Sequence, residues 1–400
     1  TADKVANAIN TSIAANTSKV TNATHTGDVT GATALTIAAD AVTPAKMADS
    51  AYLANRNMII NGAMQVSQRG TSEASLAFTS YGYFKAPDRF RTSIEVGTWT
   101  VSQSNEAPEG FANSYKFDCT TLDASPTAAY SNKLAIRAEA QDLQNLKYGT
   151  ANAETVTLSF WVRSAKTGIY IVELQHGETS ISNSIAYTIS VADTWEKKEL
   201  SFSGYVTTAI NNDNGVGLYI TFWLVAGSDY TSGTLAPNTW QSTAANKAVG
   251  QVNLADSTSN DWHITGVQFE IGGTATPFER KTFGQELAAC QRYYERQVAG
   301  MAYGPFGTGY VESASSAYIY VPFITEKRAN PTWGSSIGTY GIRCVNQGQV
   351  MTVSSGAING VGTKMGKLLM QGDSALTTHY AVEMSGNNEA LAWISWDAEL

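Results

Sequence analysis

Four histidines, His25, His176, His263 and His379, stand far apart, and none shows an HExxH or comparable ligand spacing. The three cysteines, Cys119, Cys290 and Cys344, are odd in number and widely separated. They fit neither a disulfide framework nor a zinc site, and read as buried thiols kept reduced during assembly in a reducing cytoplasm. No GxSxG elbow and no phosphate-binding loop is present. A Ser–His–Asp arrangement need not be local, but no local signature points to one. A polysaccharide-cleaving site would need two carboxylates about 5 Å or about 6.5–9.5 Å apart. Glu173, Glu270 and Glu312 lie in strand-like stretches, yet the sequence pairs none of them, and Glu173 reads as a solvated strand residue. No catalytic residue is assigned. The run NNDNG offers Asn211 and Asp213 as weak calcium candidates, but it lacks the spaced carboxylates and distal Glu of an EF-hand. A plain Asn-Gly turn is the simpler reading, and no cofactor is expected.

Binding chemistry is the other resource. Flat aromatic rings cover the apolar faces of sugars, while Asn, Asp and Gln read hydroxyls. Aromatics in turn-rich segments are the candidates: Tyr230 in GSDYTSG, Trp240 in PNTWQST, Tyr303, Phe306 and Tyr310 in AYGPFGTGY, and Trp333 and Tyr340 in NPTWGSSIGTYG. Each could instead pack under its own loop or at an interface between chains. Trp161 and Trp223 fall on the outer faces of expected strands and read as covered by a neighbouring chain or sheet.

The bulk composition narrows the partners. Charged residues are 15% of the 400, well below the roughly 25% of an average domain, and the net charge is −8. Thr, Ser, Asn, Gln and Gly supply the polarity instead. Without a basic tract, phosphate-backbone binding is disfavoured and no nucleic acid partner is expected. No apolar run reaches the length of a membrane span, so no membrane insertion is expected either. The chain opens TADKVANAIN, without Met or a signal pattern, as a piece of a longer protein or a processed chain would.

These side chains must be positioned by elements that the hydrophobic pattern outlines. Residues 1–22 read as a helix with a heptad seam: Ala6, Ile13 and Val20 form one row, and Ala2, Ile9 and Asn16 the other. That pattern fits a coiled-coil stalk, with Asn16 as a polar register residue; an ordinary amphipathic helix is the alternative. Residues 23–56 carry Gly27, Gly31 and Pro44 with short apolar pairs (Leu35 and Ile37, then Val42 and Met47), and read as a β-rich connector that needs other chains to bury them. Over 57–280, stretches alternate with period two. Val156, Leu158, Phe160 and Val162 oppose Thr157, Ser159, Trp161 and Arg163. Leu218, Ile220, Phe222 and Leu224 oppose Tyr219, Thr221, Trp223 and Val225. Leu200 and Phe202 oppose Lys197, Glu199 and Ser201. In DWHITGVQFEIG, simple alternation puts His263, Thr265, Val267, Phe269 and Ile271 on one face. Polar turns separate these runs, which predicts an antiparallel jelly-roll sandwich. Residues 281–297 predict a linker helix with Phe283, Leu287, Cys290 and Tyr294 on one face. Residues 298–400 predict a small C-terminal β head domain, in which SGNNE could join HYAVEM and ISWDAEL as a hairpin. The fold expected is mostly β: trimeric coiled coil, β connector, antiparallel jelly roll, short helix and small β domain.

Several stretches resemble tail-fibre and receptor-binding proteins of tailed phages that contain a jelly-roll, carbohydrate-binding-like module. They are HTGDVTGATALTIAADAVTPAKMA, NRNMIINGAMQVSQRGTS with APDRF, VTLSFWVRSAKTGIY, DTWEKKELSFSG, NDWHITGVQFEIGGTATPFERKTFGQELAACQRYYER, RANPTWG and the terminal ISWDAEL. The run ending in CQRYYER is the most specific, and the stretches together span most of 22–400. The resemblance implies a homotrimer on the virion, assembled in the host cytoplasm. It would contact other tail or baseplate proteins and a glycan or protein on the host surface. It implies no enzyme. The alternatives are a structural virion connector or decoration fibre, and a glycan depolymerase tailspike, although no short β-helix repeat is present.

Overall fold

The computed structural model describes residues 2–20, 29–30, 36–37, 55–78, 82–373 and 376–400. It divides into two units, Thr1–Ala54 and Asn55–Leu400. Strand makes up 43% of the described residues and helix 11%, so the mostly-β expectation holds. No described helix is long and apolar enough to cross a membrane.

In the first unit, α1 spans Ala2–Val20, with Asp3 in its first turn where a negative charge offsets the helix dipole. Its described side chains are all exposed, Ala6 among them. Val5, Ile9 and Ile13, spaced by four, make an apolar stripe on it. Asn16 and Val20 lie on the same helix, but their side chains are outside the described residues. Strands β1 (Val29–Thr30) and β2 (Thr36–Ile37) pair antiparallel. The remaining connector positions up to Ala54, Leu35, Val42 and Met47 among them, lie outside the described residues.

The second unit opens with twelve strands: β3 (Ser72–Leu76), β4 (Tyr83–Phe84), β5 (Phe90–Ser93), β6 (Thr98–Ser104), β7 (Ser114–Thr121), β8 (Ser131–Glu139), β9 (Val156–Ser164), β10 (Gly168–His176), β11 (Ser182–Ile189), β12 (Glu196–Phe202), β13 (Val216–Ala226) and β14 (Asp261–Ile271). They form two six-stranded sheets, ordered β11-β10-β13-β8-β5-β4 and β12-β9-β14-β7-β6-β3, with every pairing antiparallel. The chain switches sheets repeatedly, and the two inner faces share one core. Val156, Leu158, Phe160 and Val162 from β9 meet Leu218, Ile220, Phe222 and Leu224 from β13, all buried. The Phe160 and Phe222 rings stand edge to face at 5.1 Å. Burying each such side chain contributes about 1.5–3 kcal/mol, which is why strict alternation locates these strands.

Alternation fails in β14 for a local reason. Between Thr265 and Gln268 the register against β9 slips by one residue, a β-bulge at Gly266, whose φ is +60°. A Cβ there would meet the Phe111 ring at 2.7 Å. The core face therefore runs Trp262, Ile264, then Val267, Phe269. His263, Thr265, Gln268 and Glu270 are buried polar groups on the other side. The segment after β14 folds back to satisfy the last two: Thr276 donates to both Glu270 oxygens and accepts from Gln268. Glu279 then receives the N–H groups of Asn55, Arg56 and Asn57. Asn61 holds Val66 and the carbonyl of Asp88. The runs NRNMIING, APDRF and TATPFER are thus one interlocked structural seam.

After the short helix α2 (Ser228–Thr231) between β13 and β14, α3 spans Phe283–Gln291, with a Thr282–Gln285 capping box. The helix expected over 281–297 is therefore shorter. Phe283 is exposed, Glu286 is buried against the Asn61 N–H, and Tyr294 begins strand β15 (Tyr294–Val298). Tertiary contacts override the helical period there. Glu139 of β8 takes two hydrogen bonds from Arg292 (2.6 and 3.0 Å) and one from the Tyr293 hydroxyl (2.7 Å). Glu295 is fully buried in a 2.6 Å pair with Lys327.

The remaining strands are β16 (Pro305–Ser313), β17 (Ser316–Pro322), β18 (Thr332–Ser335), β19 (Ile342–Asn346), β20 (Gln349–Val361), β21 (Met365–Gly372), β22 (Ala381–Gly386) and β23 (Trp393–Asp397). Six of them close a barrel, ordered β16-β17-β21-β20-β19-β22, around Val311, Ile319, Val321, Cys344, Met351, Leu368 and Met384. The other two join β15 in a sheet ordered β15-β23-β18. HYAVEM and ISWDAEL consequently form no hairpin, because β22 belongs to the barrel and β23 to the three-stranded sheet. Trp396 of β23 packs on Gly366, where a Cβ would come within 2.2 Å of the indole.

Candidate functional site: a groove on the outer face of a sheet

The groove follows from the register of four neighbouring strands. Side chains alternate across a strand, so the residues opposite the core positions of β5, β8, β10 and β13 all emerge on one outer face. Pairing sets them in rows. Gln175, Tyr219 and Arg137 form one row, and Glu173, Thr221, Ala135 and Arg91 the next. Trp223, Lys133 and Ser93 form the third. Small Thr221 and Ala135 sit at the centre, so the larger neighbours wall a cavity of about 250 Å³.

The excursion between β13 and β14 completes it, with α2 supplying Tyr230 and a short 3-10 turn ending beside Lys247. Tyr230 leans on Trp223 with ring centroids 5.0 Å apart, and its hydroxyl donates to the Ala129 carbonyl at 3.2 Å. Trp223, Ile171 and Ala248 form a satellite apolar cluster under this loop, with Tyr230 and Leu235 packed on it. Trp223 is therefore covered by its own chain, not by a neighbouring chain or sheet. Its indole N–H donates to Glu173 at 3.1 Å.

Glu173, expected to be solvated, is buried and paired with Lys247 at 2.6 Å. Lys133 lies over the Trp223 ring at 3.9 Å and the Tyr230 ring at 4.9 Å. Burial pushes its ammonium down to about 8. Arg137 sits 5.3 Å from the Tyr219 ring and donates to the Leu400 carbonyl, while its buried Nε has no hydrogen-bond partner. Arg91 donates to the Gly82 carbonyl at 3.3 Å. Burial lowers the pKa of both guanidinium groups from the ordinary value. The half-buried Tyr219 ring and the surrounding amide, hydroxyl and charged groups can hold a polar ligand with one apolar face.

Of the seven aromatics offered as glycan-binding candidates, Tyr230 alone lines this groove. Trp240 packs against the sandwich core between Tyr148 and Tyr205 and donates to the Ser203 carbonyl at 2.9 Å, as a fold residue does. The other five lie in 298–400 and do not converge. Phe306 is buried in the barrel core and has no face to offer. Trp333 and Tyr340 are half-buried against the same core. Tyr310 stands on strand β16, exposed, beside Tyr318 at 5.3 Å. Exposed Tyr303 lies under the Arg343 guanidinium at 4.0 Å. Three of the five, Phe306, Tyr310 and Trp333, are strand residues rather than turn residues. Tyr219, Lys133, Arg91 and Arg137 were missed. Their signal was the outward half of the alternation in β13, β8 and β5.

Asp213 uses its carboxylate to accept the Gly215 N–H at 2.8 Å, the turn geometry expected of an Asp-x-Gly sequence, with Asn211 exposed beside it. No group of three or more His, Cys, Asp or Glu side chains among the described residues is placed to hold a metal ion. The three cysteines are buried, and burial raises each thiol pKa, which leaves them poor nucleophiles.

No protein-family model and no curated protein matches the sequence. Among solved structures, the chain is similar to the enzymatically active domain of tailspike protein 4 of bacteriophage CBA120, at 13% identity over 54% of this chain and with a TM-score of 0.27. The chain spans only 21% of that chain's length. It is also similar to the carbohydrate-binding module TmCBM61 bound to β-1,4-galactotriose (11% identity, 55% of this chain, 100% of that one, TM-score 0.25). A third likeness is to the xylan-binding domain CBM22-2 of Paenibacillus barcinonensis Xyn10C (13% identity, 46% and 92% covered, TM-score 0.26). At these TM-scores the likenesses bear on neither ligand nor activity.

Proposed function

We propose that this chain is a non-catalytic virion fibre subunit that acts as a homotrimer and attaches a tailed phage to a glycan on its host. The observation that carries the reading is the groove across β10, β13, β8 and β5, where Tyr219 and Tyr230 stand among Gln175, Glu173 and four cationic side chains. A ring beside convergent polar groups is what a sugar needs. The resemblance carried by NRNMIING, VQFEIGG and CQRYYER supplies the virion setting, and with it docking to other tail or baseplate proteins. The stripe Val5, Ile9 and Ile13 supports the trimer, since three copies of α1 would bring such stripes together. Weak binding at each groove would be strengthened by three copies per fibre and many fibres per virion.

The test is adsorption of the fluorescently tagged full chain to candidate host cells, with light scattering on the same sample. The expected result is saturable adsorption at a mass near three times 42.7 kDa. A trimer that adsorbs to no host would favour a structural connector. Sustained release of reducing sugar from host polysaccharide would overturn the non-catalytic reading in favour of a depolymerase. Replacing Ile9 and Ile13 by Asp should lower the trimer fraction; an unchanged mass would show the helix to be dispensable.

A further inference from the structure

The groove's charge runs against that of the molecule. The whole chain carries −8, yet the groove is lined by Arg91, Lys133, Arg137 and Lys247 against the single carboxylate Glu173. That carboxylate is already engaged, by Lys247 at 2.6 Å and by the Trp223 indole N–H at 3.1 Å. Its one negative charge offsets one of the four cations. Lys133 rests on two aromatic rings, Arg91 donates to the Gly82 carbonyl with no carboxylate at hydrogen-bond distance among the described residues, and Arg137 donates to the Leu400 main-chain oxygen. Glu399, the acidic residue nearest Arg137 in charge terms, is spent between Arg69 and Arg89.

Holding these cations together has a cost. Burial disfavours the charge on Arg91, Lys133 and Arg137, and the neighbouring Arg91 adds repulsion at Arg137. A ligand anion placed over Thr221 and Ala135 would relieve both terms. The register gives it a defined frame. Arg137 and Lys133 lie four residues apart on β8, about 13 Å along the strand. Arg91 projects opposite Ala135, midway between them. Arginine pairs with carboxylate and phosphate oxygens through two parallel N–H bonds.

We propose that the groove takes an acidic glycan, one bearing carboxylate or phosphate groups along its chain, rather than a neutral polysaccharide. This inference rests on the glycan-binding reading of the groove. Tyr219 and Tyr230 cover the sugar ring, and Arg91, Arg137 and Lys133 meet its anionic substituents.

The experiment is a printed array of neutral, uronic-acid, sialic-acid and phosphate-bearing microbial glycans, probed with the full chain and with Arg91→Gln and Lys133→Met. Thermal melts of both variants check that they fold, and Met keeps the aliphatic cover on Trp223. The expected result is binding confined to acidic glycans, weakened at least tenfold in each variant and strongly reduced between 50 mM and 500 mM salt. Carbodiimide amidation of a bound glycan removes carboxylate-dependent binding alone, and dephosphorylation removes phosphate-dependent binding alone, so the two sources separate. Binding to neutral glycans that neither variant alters would overturn the acidic preference and leave the glycan reading standing. Absence of binding to any glycan would overturn both.

Discussion

Lys133 concentrates the electrostatics of the groove in one titrating group. It faces Trp223 and Glu173 from neighbouring strands, Tyr230 and Lys247 from the covering loop, and Glu95 beyond β5. Burial brings its pKa to about 8. A bound anion needs the ammonium charged, so affinity should fall as pH rises through about 8, well below the range in which an ordinary lysine titrates. Binding isotherms between pH 6.5 and 9.5 check this, and Lys133→Arg should flatten the profile. Stability moves the other way. The folded pKa lies below the unfolded one, so the unfolded chain holds the extra proton between about 8 and the ordinary value near 10.5. This residue's contribution to stability therefore rises with pH across that window. Tyr219 tests the apolar half of the site. Tyr219→Ala removes a half-buried ring from the outer face, and glycan affinity should drop about tenfold, ~1.4 kcal/mol. The unfolding midpoint should move little, because Tyr219 makes no core contact. Titration calorimetry and a denaturant melt separate the two effects.

At the scale of elements, CQRYYER is a junction rather than a helix end. Its residues reach in two directions. Arg292 and Tyr293 clamp Glu139 at the end of β8, and Glu295 binds Lys327 in full burial. A buried pair gives little over a hydrophobic pair of similar volume, but removing one partner leaves the other charge stranded. Lys327→Met should cost about 3–5 kcal/mol in denaturant unfolding. Adding Glu295→Leu should recover part of that loss, the remainder reflecting the Ile324 N–H that Glu295 accepts. A loss under 1 kcal/mol in the single variant would mean that water reaches the pair. The motif also shows how far a helical period can be trusted. Phe283, Leu287, Cys290 and Tyr294 have the right spacing, but the backbone after Gln291 gains more by pairing with β23 than by continuing a helix.

For the whole of the Asn55–Leu400 unit, the last residues hold the two cores together. Glu399 is buried between Arg69 and Arg89, Asp397 pairs with Arg69 at 3.0 Å, and Arg137 reaches the Leu400 carbonyl. Arg69 and Arg89 also cover the Tyr294 and Tyr293 rings at 3.5 and 3.4 Å. The barrel segment therefore returns to the sandwich next to the groove, since Arg137 serves both. Glu399→Gln should strand the buried Arg89 guanidinium, while Arg69 keeps Asp397, and lower stability by about 3–5 kcal/mol. It should also split one unfolding transition into two if this anchor couples the cores. Calorimetry reads both outcomes, and a single unshifted transition would show that the Glu139 clamp is sufficient alone.

Strand existence, strand faces and fold class were legible in the residues, because the alternation that buries Val156 to Val162 or Leu218 to Leu224 is a local property of the chain. It broke where a second local feature intervened, as at the Gly266 bulge and at the Trp223–Val225 bulge that turns Val225 from the expected outer face into the core, or where a partner strand captured the backbone, as at Tyr294. The groove was not legible. Tyr219, Arg137 and Arg91 are up to 128 positions apart in sequence, and only the order β10-β13-β8-β5 makes them neighbours. Glu173 looked solvated, and Trp223 looked covered by a neighbouring chain or sheet, because nothing local announces the loop that folds over them. Side-chain period is written residue by residue, whereas which strands adjoin and what covers their outer face depend on contacts between distant segments, and those only the folded chain decides.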